Sequence, residues 1–560
     1  MHYFRVPREY WKDRFRKMKE CGFNAVETYI AWNIHEKEKG RFDFTGMLDV
    51  EEYLRTAQEE GLWAIVRPGP YICSEWEAGG LPWWLFTEKD IRLRCMNDRY
   101  LEAVSSFFDE LMPRLAHMQS TQGGPILMMQ CENEYGSYGD DSEYITWTRD
   151  AMLRRGINVP LFTSDGPTDF MLTGGTIPSL LKTGNFGSHA AEQFKKLREF
   201  QPEGPLMCCE YWNGWFDHWT ETHHTRDPKD AAQVLDDILA CGASVSAYMF
   251  HGGTNFGLWN GANHYDVYQP TVNSYDDDAP VNECGDLTEK YYLFRDVISR
   301  YRDVPALTAE KNVPKANYGR IAFTESCRLF DCLDSISQGI RCTCPEPMEK
   351  LGQGYGYTLY SCDVRGPREE MPLTIQEIHD RAHIYANQSF AGIQYRAEPN
   401  AEKPKLRIPA EGLRLDILAE NMGRTNYGYH MTELKGITEG VRLGQQFLFH
   451  WKAYPLPMDD ITRVPFKPGV SKFDGTPVFL KGSFDILSEP RDTFVKLPGF
   501  TKGIIFINGK LLSRYWAVGP QRSAYLPAPW LKKGKNEIVI FETDGFETPE
   551  ALLDDTPDLG

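Results

Sequence analysis

Over about its first 300 residues the chain alternates short apolar runs with amphipathic stretches, and this alternation limits the fold more than any other feature. "HYFRV" precedes a stretch in which Trp11, Phe15 and Met18 recur at helical spacing and Gly22 supplies the stop. "NAVETYI" follows, then a helical stripe of Val50, Tyr53, Leu54 and Ala57 ended by Gly61. "LWAIVRPG", "PILMMQCENE", "PLFTSD", "TGNFGS", "GPLMCCEYW" and "SVSAYMFHGG" continue the series, with helices predicted near 98–118, 143–155, 229–241 and 286–301. Eight runs that are apolar on both faces describe parallel strands covered by helices. The pattern predicts an α/β fold, a (β/α)8 TIM barrel over residues 1–309, with a doubly wound open sheet as the alternative. The polar residues favour the barrel. Tyr29, Glu75, Glu134, Asp165, Glu210 and His251 fall at or just past the C-terminal ends of successive strands, where barrel active sites are built.

After residue 309 the texture changes. "GYGYTLYSCDV", "RAHIYANQSFAG", "LRLDILAENMG" and "GIIFINGKLLSRYW" alternate with a period of two, and Asn508-Gly509 is a type I′ hairpin signal. Two antiparallel β-sandwich, jelly-roll-like domains are expected, at 310–455 and 456–560.

Charge narrows the partners. A net charge of −18 disfavours nucleic acid and anionic membrane, both of which reward positive charge. Thirteen cysteines lie without metal-ligand spacing, and Cys208 and Cys209 would alternate across a strand. No apolar run approaches the roughly 20 residues of a membrane span. Reduced thiols and a cytoplasmic location are the expectation, and the abrupt start at "MHYFRVP" leaves room for residues upstream.

Two glutamates stand out. Glu134 follows the fourth run and Glu210 ends the seventh, three apart in an eight-membered ring, so they face each other across the barrel mouth. Hydrolysis of a glycosidic bond needs such a pair, one carboxylic acid to protonate the leaving oxygen and one carboxylate to attack carbon or activate water. Their separation, roughly 5–5.5 Å or roughly 6.5–9.5 Å, decides between retention and inversion.

The sequence blocks around these acids resemble a known family. "GGPILMMQCENEYGSYG" and "CEYWNGWFDHW" are similar to the acid/base and nucleophile signatures of glycoside hydrolase family 35, the β-galactosidase family. "HYFRVPREYWKDRFRKMKECGFNAVETYIAWNIHE", "RPGPYICSEWEAGGLPWWL", "GGTNFGLWNGAN" and "GPQRSAYLPAPWLKKGKNEIVIFE" extend the resemblance along most of the chain. It implies Glu134 as general acid/base and Glu210 as nucleophile of a retaining double displacement. Asn133 is implied to bond the sugar 2-hydroxyl, while Tyr29, Cys73, Ser74 and Glu75 hold other hydroxyls of a terminal galactose. Trp215, Tyr248 and Tyr275 are implied as pocket aromatics. The substrate implied is a β-galactoside oligosaccharide or glycoconjugate glycan. No cofactor and no metal are required, because a proton activates the leaving group. The β-domains are read as shaping the cleft and dimer contacts, which keeps a homodimer open.

One position departs from the family pattern. Many relatives read Ser-Tyr-Asp-Tyr-Asp where this chain has Ser274-Tyr275-Asp276-Asp277-Asp278, so Asp277 replaces a phenol expected to touch the sugar. The same machinery acting on glucose or glucosamine, or in transglycosylation, is therefore the rival reading. A non-catalytic carbohydrate-binding protein is a further one, disfavoured by the presence of both glutamates. Glu132 is expected to be a buried structural acid, His223-His224 a solvated loop, and Cys208 and Cys209 apolar fillers. His251, Trp83 and Trp84 are left between packing and pocket roles.

Overall fold

Seven parallel strands form the first sheet, hydrogen-bonded in the order in which they occur. They are β1 (Ala25–Tyr29), β2 (Trp63–Arg67), β3 (Ile126–Gln130), β4 (Leu161–Asp165), β5 (Leu181–Phe186), β6 (Met207–Trp212) and β7 (Ser244–Tyr248). The computed structural model describes residues 1–560. Helices Trp11–Cys21, Val50–Glu59, Asp98–Ala116, Ser142–Arg154, Ala190–Phe200, Pro228–Ala240 and Glu289–Ile298 flank the strands, making a nearly closed TIM barrel. The first helix stops at Gly22, whose φ of 108° suits glycine; a Cβ there would come within 2.6 Å of Ile298.

The first predicted strand is not a strand. In "HYFRV", Tyr3–Arg5 winds into one turn of 3-10 helix, its amides bonding locally, with Val6 N donating to Tyr3 O at 3.2 Å. Aromatic residues bury equally well in a strand or in such a turn, and Pro7 removes a donor that a continuing strand would use. The segment nevertheless fills the gap between β7 and β1. The Met1 ammonium donates to Glu27 O at 3.1 Å, and the His2 ring packs against Tyr29 and Tyr248 at 5.1 and 5.9 Å.

Inside the barrel, Ile65, Phe162, Met207 and Cys209 from the even-numbered strands make a small apolar layer. Above it the interior turns polar. The register of β6 shifts against both neighbours beyond Cys208, a bulge that lets consecutive residues serve the same interior. Cys209 Sγ donates to Glu27 Oε2 at 3.2 Å while Glu210 meets Arg67 at 2.6 Å.

The remaining chain forms antiparallel sheets, but the division at 310 and 456 does not follow them. Strand β10 (Gly319–Arg328) pairs with Val478–Ile486 and Glu550–Asp554, in the nine-stranded sheet of the last domain. The chain lays down that strand first, then builds the six- and four-stranded sheets of the first β-domain, and then returns. Period-two alternation marks a strand without naming its partner, which here lies some 150 residues away. The Asn508-Gly509 hairpin forms as expected, with φ of 50° and 80° between strands Lys502–Ile507 and Lys510–Trp516.

A hairpin after β7 connects the barrel to these sheets. Strands β8 (Ala262–His264) and β9 (Tyr268–Pro270) pair antiparallel, and Thr425–Tyr427 of the first β-domain pairs parallel to β8. Fully buried Arg424 lies between Glu77 of the barrel and Glu349 of the β-domain, fixing that junction. All thirteen cysteines are unpaired, and no helix is long and apolar enough to cross a membrane.

Candidate active site

A cavity of about 360 Å³ opens at the C-terminal end of the strands. All eleven residues expected from sequence reach its wall: Tyr29, Cys73, Ser74, Glu75, Asn133, Glu134, Glu210, Trp215, Tyr248, Tyr275 and Asp277. With the first stretch not a strand, Glu134 follows β3 and Glu210 lies on β6, so the separation of three staves is kept.

The two glutamates meet different surroundings. Glu210 Oε1 forms an ion pair with Arg67 Nη2 at 2.6 Å and accepts from Tyr29 Oη at 2.7 Å, and its Oε2 accepts from Trp212 Nε1 at 3.2 Å. One ion pair and two hydrogen bonds thus hold this carboxyl group in place. Glu134 stands in the left-handed region at φ 44° and accepts one bond, from Asn185 Nδ2 at 3.0 Å. Ser164 Oγ donates to the other end of that amide at 2.5 Å, which turns the NH2 toward Glu134. Removal from water, and next the charge of Glu210, push Glu134 up to about 8.

Asn133 is held at four points. Its Oδ1 accepts from Arg67 and Gln130 at 2.7 and 3.1 Å with the Tyr29 hydroxyl 2.9 Å away, and its Nδ2 donates to Ile72 O at 3.3 Å. Behind it, Glu132 turns away from the cavity. That carboxylate takes Arg94 in a two-toothed pair at 2.9 and 2.8 Å and also accepts from Tyr144 Oη and the Asn133 amide. Glu132 is thus the structural acid anticipated from its neighbourhood.

The loop after β2 presents Cys73, Ser74 and Glu75, three successive non-glycine residues at φ of 57°, 62° and 46°. Such backbone persists only where its surroundings enforce it. Arg5 Nη1 donates to Ser74 Oγ at 2.9 Å, Tyr248 Oη donates to the same oxygen at 3.1 Å, and Tyr275 Oη donates to Glu75. The Arg5 guanidinium also lies 3.8 Å over the Tyr275 ring. Burial raises Glu75 above the usual carboxylate range.

Asp277, at φ 59°, accepts from the Met249 amide at 2.9 Å, and burial holds its carboxyl well above the ordinary aspartate value. It serves the backbone beneath the wall as much as the cavity. Trp215 is 43% exposed and stacks edge-on against Trp212 and face-on against Phe216, at the rim.

Of the residues left open, His251 lies elsewhere, buried against the carbonyls of Val281 and Asn282. Trp84 is core, packed on Trp32 with its indole N–H on Glu36 O, and Trp83 also stands outside the cavity. His223 and His224 are not merely solvated, since both bind Asp217, at 2.7 and 2.9 Å. Sequence reading missed Arg67, Asn185, Trp212, Tyr265 and Tyr427. An arginine ending an otherwise apolar strand was the available signal for the first. Tyr427 comes from the first β-domain, which therefore walls the cavity.

Comparison with known proteins follows the same outline. Residues 1–301 match the sequence profile described as Glycosyl hydrolases family 35. The chain belongs to glycosyl hydrolase family 35. Within this family, residues 345–457 match "Beta-galactosidase, first all-beta domain" and 477–536 match "Beta-galactosidase, galactose-binding domain". The chain is 40% identical to the human beta-galactosidase-1-like protein 2 over 578 residues, covering 100% of this chain and 88% of that protein. It is also 40% identical to the Bos taurus beta-galactosidase (97% and 87% covered) and 41% identical to that of Xanthomonas manihotis (94% and 88% covered). As a family 35 member the chain is a glycoside hydrolase, and Glu75, Glu134, Glu210 and Asp277 all line its cavity.

Proposed function

We propose that the chain is a retaining exo-β-galactosidase that removes terminal β-galactosyl residues from oligosaccharides or glycoconjugates. The observation that carries this reading is the unequal pair in one cavity. Glu210 sits under Arg67, Tyr29 and Trp212, and Glu134 is desolvated with a single amide donor. In this account Glu134 gives its proton to the glycosidic oxygen while Glu210 attacks the anomeric carbon. Esterification removes the charge of Glu210, so Glu134, now ionised, can take a proton from water and drive the second displacement. The fixed Asn133 Nδ2 and Tyr29 hydroxyl suit sugar hydroxyls, where contacts tighten in the oxocarbenium-like transition state.

The relatives named beta-galactosidase support the sugar assignment, and the size of the cavity suits a terminal residue with part of its neighbour. Trp215, Tyr265 and Tyr427 at the rim offer aromatic faces to that neighbour. Asp277 keeps one rival in view, a different β-linked sugar, since a carboxyl stands where a phenol is expected. A panel of aryl β-glycosides separates them. Faster cleavage of glucoside or glucosaminide than of galactoside would exclude the galactosidase reading, and NMR of the first-formed anomer would test retention.

A further inference from the structure

Outside the cavity, His264, His430 and Glu433 bring three metal-type donor atoms within 4.8 Å of one another. His264 ends β8 of the barrel hairpin, whereas His430 and Glu433 lie in and just after the 3-10 turn Tyr429–Thr432 of the first β-domain. Glu433 Oε1 is their common point, 2.6 Å from His430 Nδ1 and 3.2 Å from His264 Nδ1. The imidazoles stack with centroids 3.9 Å apart and planes 23° apart, so both direct Nδ1 toward that oxygen.

The surroundings prepare these atoms for a ligand role. Glu433 Oε2 is occupied by Arg396 Nη1 at 2.7 Å, which orients the carboxylate and leaves Oε1 inward. Arg396 Nη2 also stands 3.3 Å from His264 Nδ1, so that nitrogen presents a lone pair. An entering cation would replace this long contact. Asp380 pairs with both Arg396 and Lys435, at 3.1 and 2.7 Å, and offsets one of their two positive charges. Tetrahedral bonds of about 2.0–2.1 Å place donors roughly 3.3 Å apart. His264 and Glu433 already have that spacing, and His430, whose Nδ1 lies 2.6 Å from Glu433 Oε1, must draw back slightly to reach it. The three side chains keep 14%, 29% and 17% of their exposure, which leaves room for water as a fourth ligand.

We propose that His264, His430 and Glu433 form a binding site for a zinc-type transition-metal dication that clamps the β8–β9 hairpin to the first β-domain. Two imidazoles and one carboxylate select such an ion over magnesium or calcium, which prefer oxygen. The ion takes no part in bond cleavage. It pins the two segments that carry Tyr265 and Tyr427 to the cavity rim.

The test uses the untagged full-length chain, stripped of metal and titrated with Co2+ and then Zn2+. The expected result is saturable binding of about one Co2+ with visible d–d bands and no sulfur-to-cobalt charge transfer, displaced by Zn2+. His264→Ala and Glu433→Gln are each expected to weaken binding by about 100-fold or more, and to abolish the zinc-dependent rise in thermal midpoint. Absence of saturable Co2+ binding by the unaltered chain would overturn the proposal, whatever the variants do. So would a thiolate charge-transfer band, which would place the ion on a cysteine, or binding that neither substitution changes.

Discussion

Arg67, with no solvent exposure, reaches Glu210 Oε1 at 2.6 Å and joins it to Glu27 at 2.9 Å. One guanidinium thus holds two carboxylates inside the barrel and also orients Asn133. Replacing it, as in Arg67→Met, leaves two buried acids facing each other. The expected cost is about 3–5 kcal/mol in stability, read as a shift of denaturant midpoint. Activity that survives should be about 10²–10³-fold lower in kcat/KM, because the donor that fixes Glu210 is gone. A variant with ordinary kcat/KM would remove Arg67 from the mechanism.

Under the proposed mechanism Glu134 sets the alkaline limit. Its carboxyl, lifted to about 8 by burial and by Glu210, must be protonated to act as acid, so kcat/KM should fall as pH rises through about 8. With a dinitrophenyl galactoside, whose leaving group needs no proton, Glu134→Gln should keep its first step and lose this alkaline limb. Azide should then speed turnover by replacing the base-assisted water. Persistence of the limb in Glu134→Gln would assign it to another group.

The same shift has a stability consequence. A carboxyl whose folded pKa is raised favours folding below its unfolded value, near 4.5, and loses that contribution as pH climbs to about 8. Glutamine carries no such penalty. Allowing for the partial exposure of Glu134, Glu134→Gln should be more stable than the parent by roughly 1–3 kcal/mol near neutrality. The advantage should vanish below about pH 4.5. Thermal unfolding across pH measures it, and a pH-independent difference would contradict the assignment.

Glu132 acts through its neighbour. It grips Arg94 and the Asn133 amide, and Arg94 Nη2 donates to Asn133 O at 2.7 Å. Glu132→Ala should destabilise the chain by about 3–5 kcal/mol, whereas Glu132→Gln, which can keep one bond, should lose less. Neither should remove the alkaline limb set by Glu134. A change in that limb would mean that Glu132 shares the proton chemistry.

Asp277 is expected to be tolerant. Its carboxyl, raised by burial, accepts from the Met249 amide, and an asparagine oxygen can accept the same bond. Asp277→Asn should therefore keep kcat/KM within about tenfold, while Asp277→Ala leaves that amide unpaired and should lose more. Equal, severe losses in both would point to a direct contact of the carboxyl with substrate.

The sequence carried the seven sheet strands and both acids because each is a local signal, an apolar run with a polar residue at its C-terminal end. "HYFRV" carried the same signal and became a turn, since buried aromatics do not report backbone hydrogen bonding. Arg67 was visible as a residue but not as a partner, because Glu27, Asn133 and Glu210 converge on it only once the barrel curves. Tyr427 depended on a parallel pairing between segments about 160 residues apart, and β10 on a pairing of similar span. Local alternation holds no record of either.

The most direct test is to trap the intermediate. Incubation with a 2-deoxy-2-fluoro-β-galactoside bearing a good leaving group slows both displacements but slows release of the ester more. Intact-protein mass spectrometry should then show one fluorogalactosyl group per chain, and peptide mapping should place it on Glu210. An adduct on Glu134 or Glu132, or an inverted product with no adduct, would contradict the account.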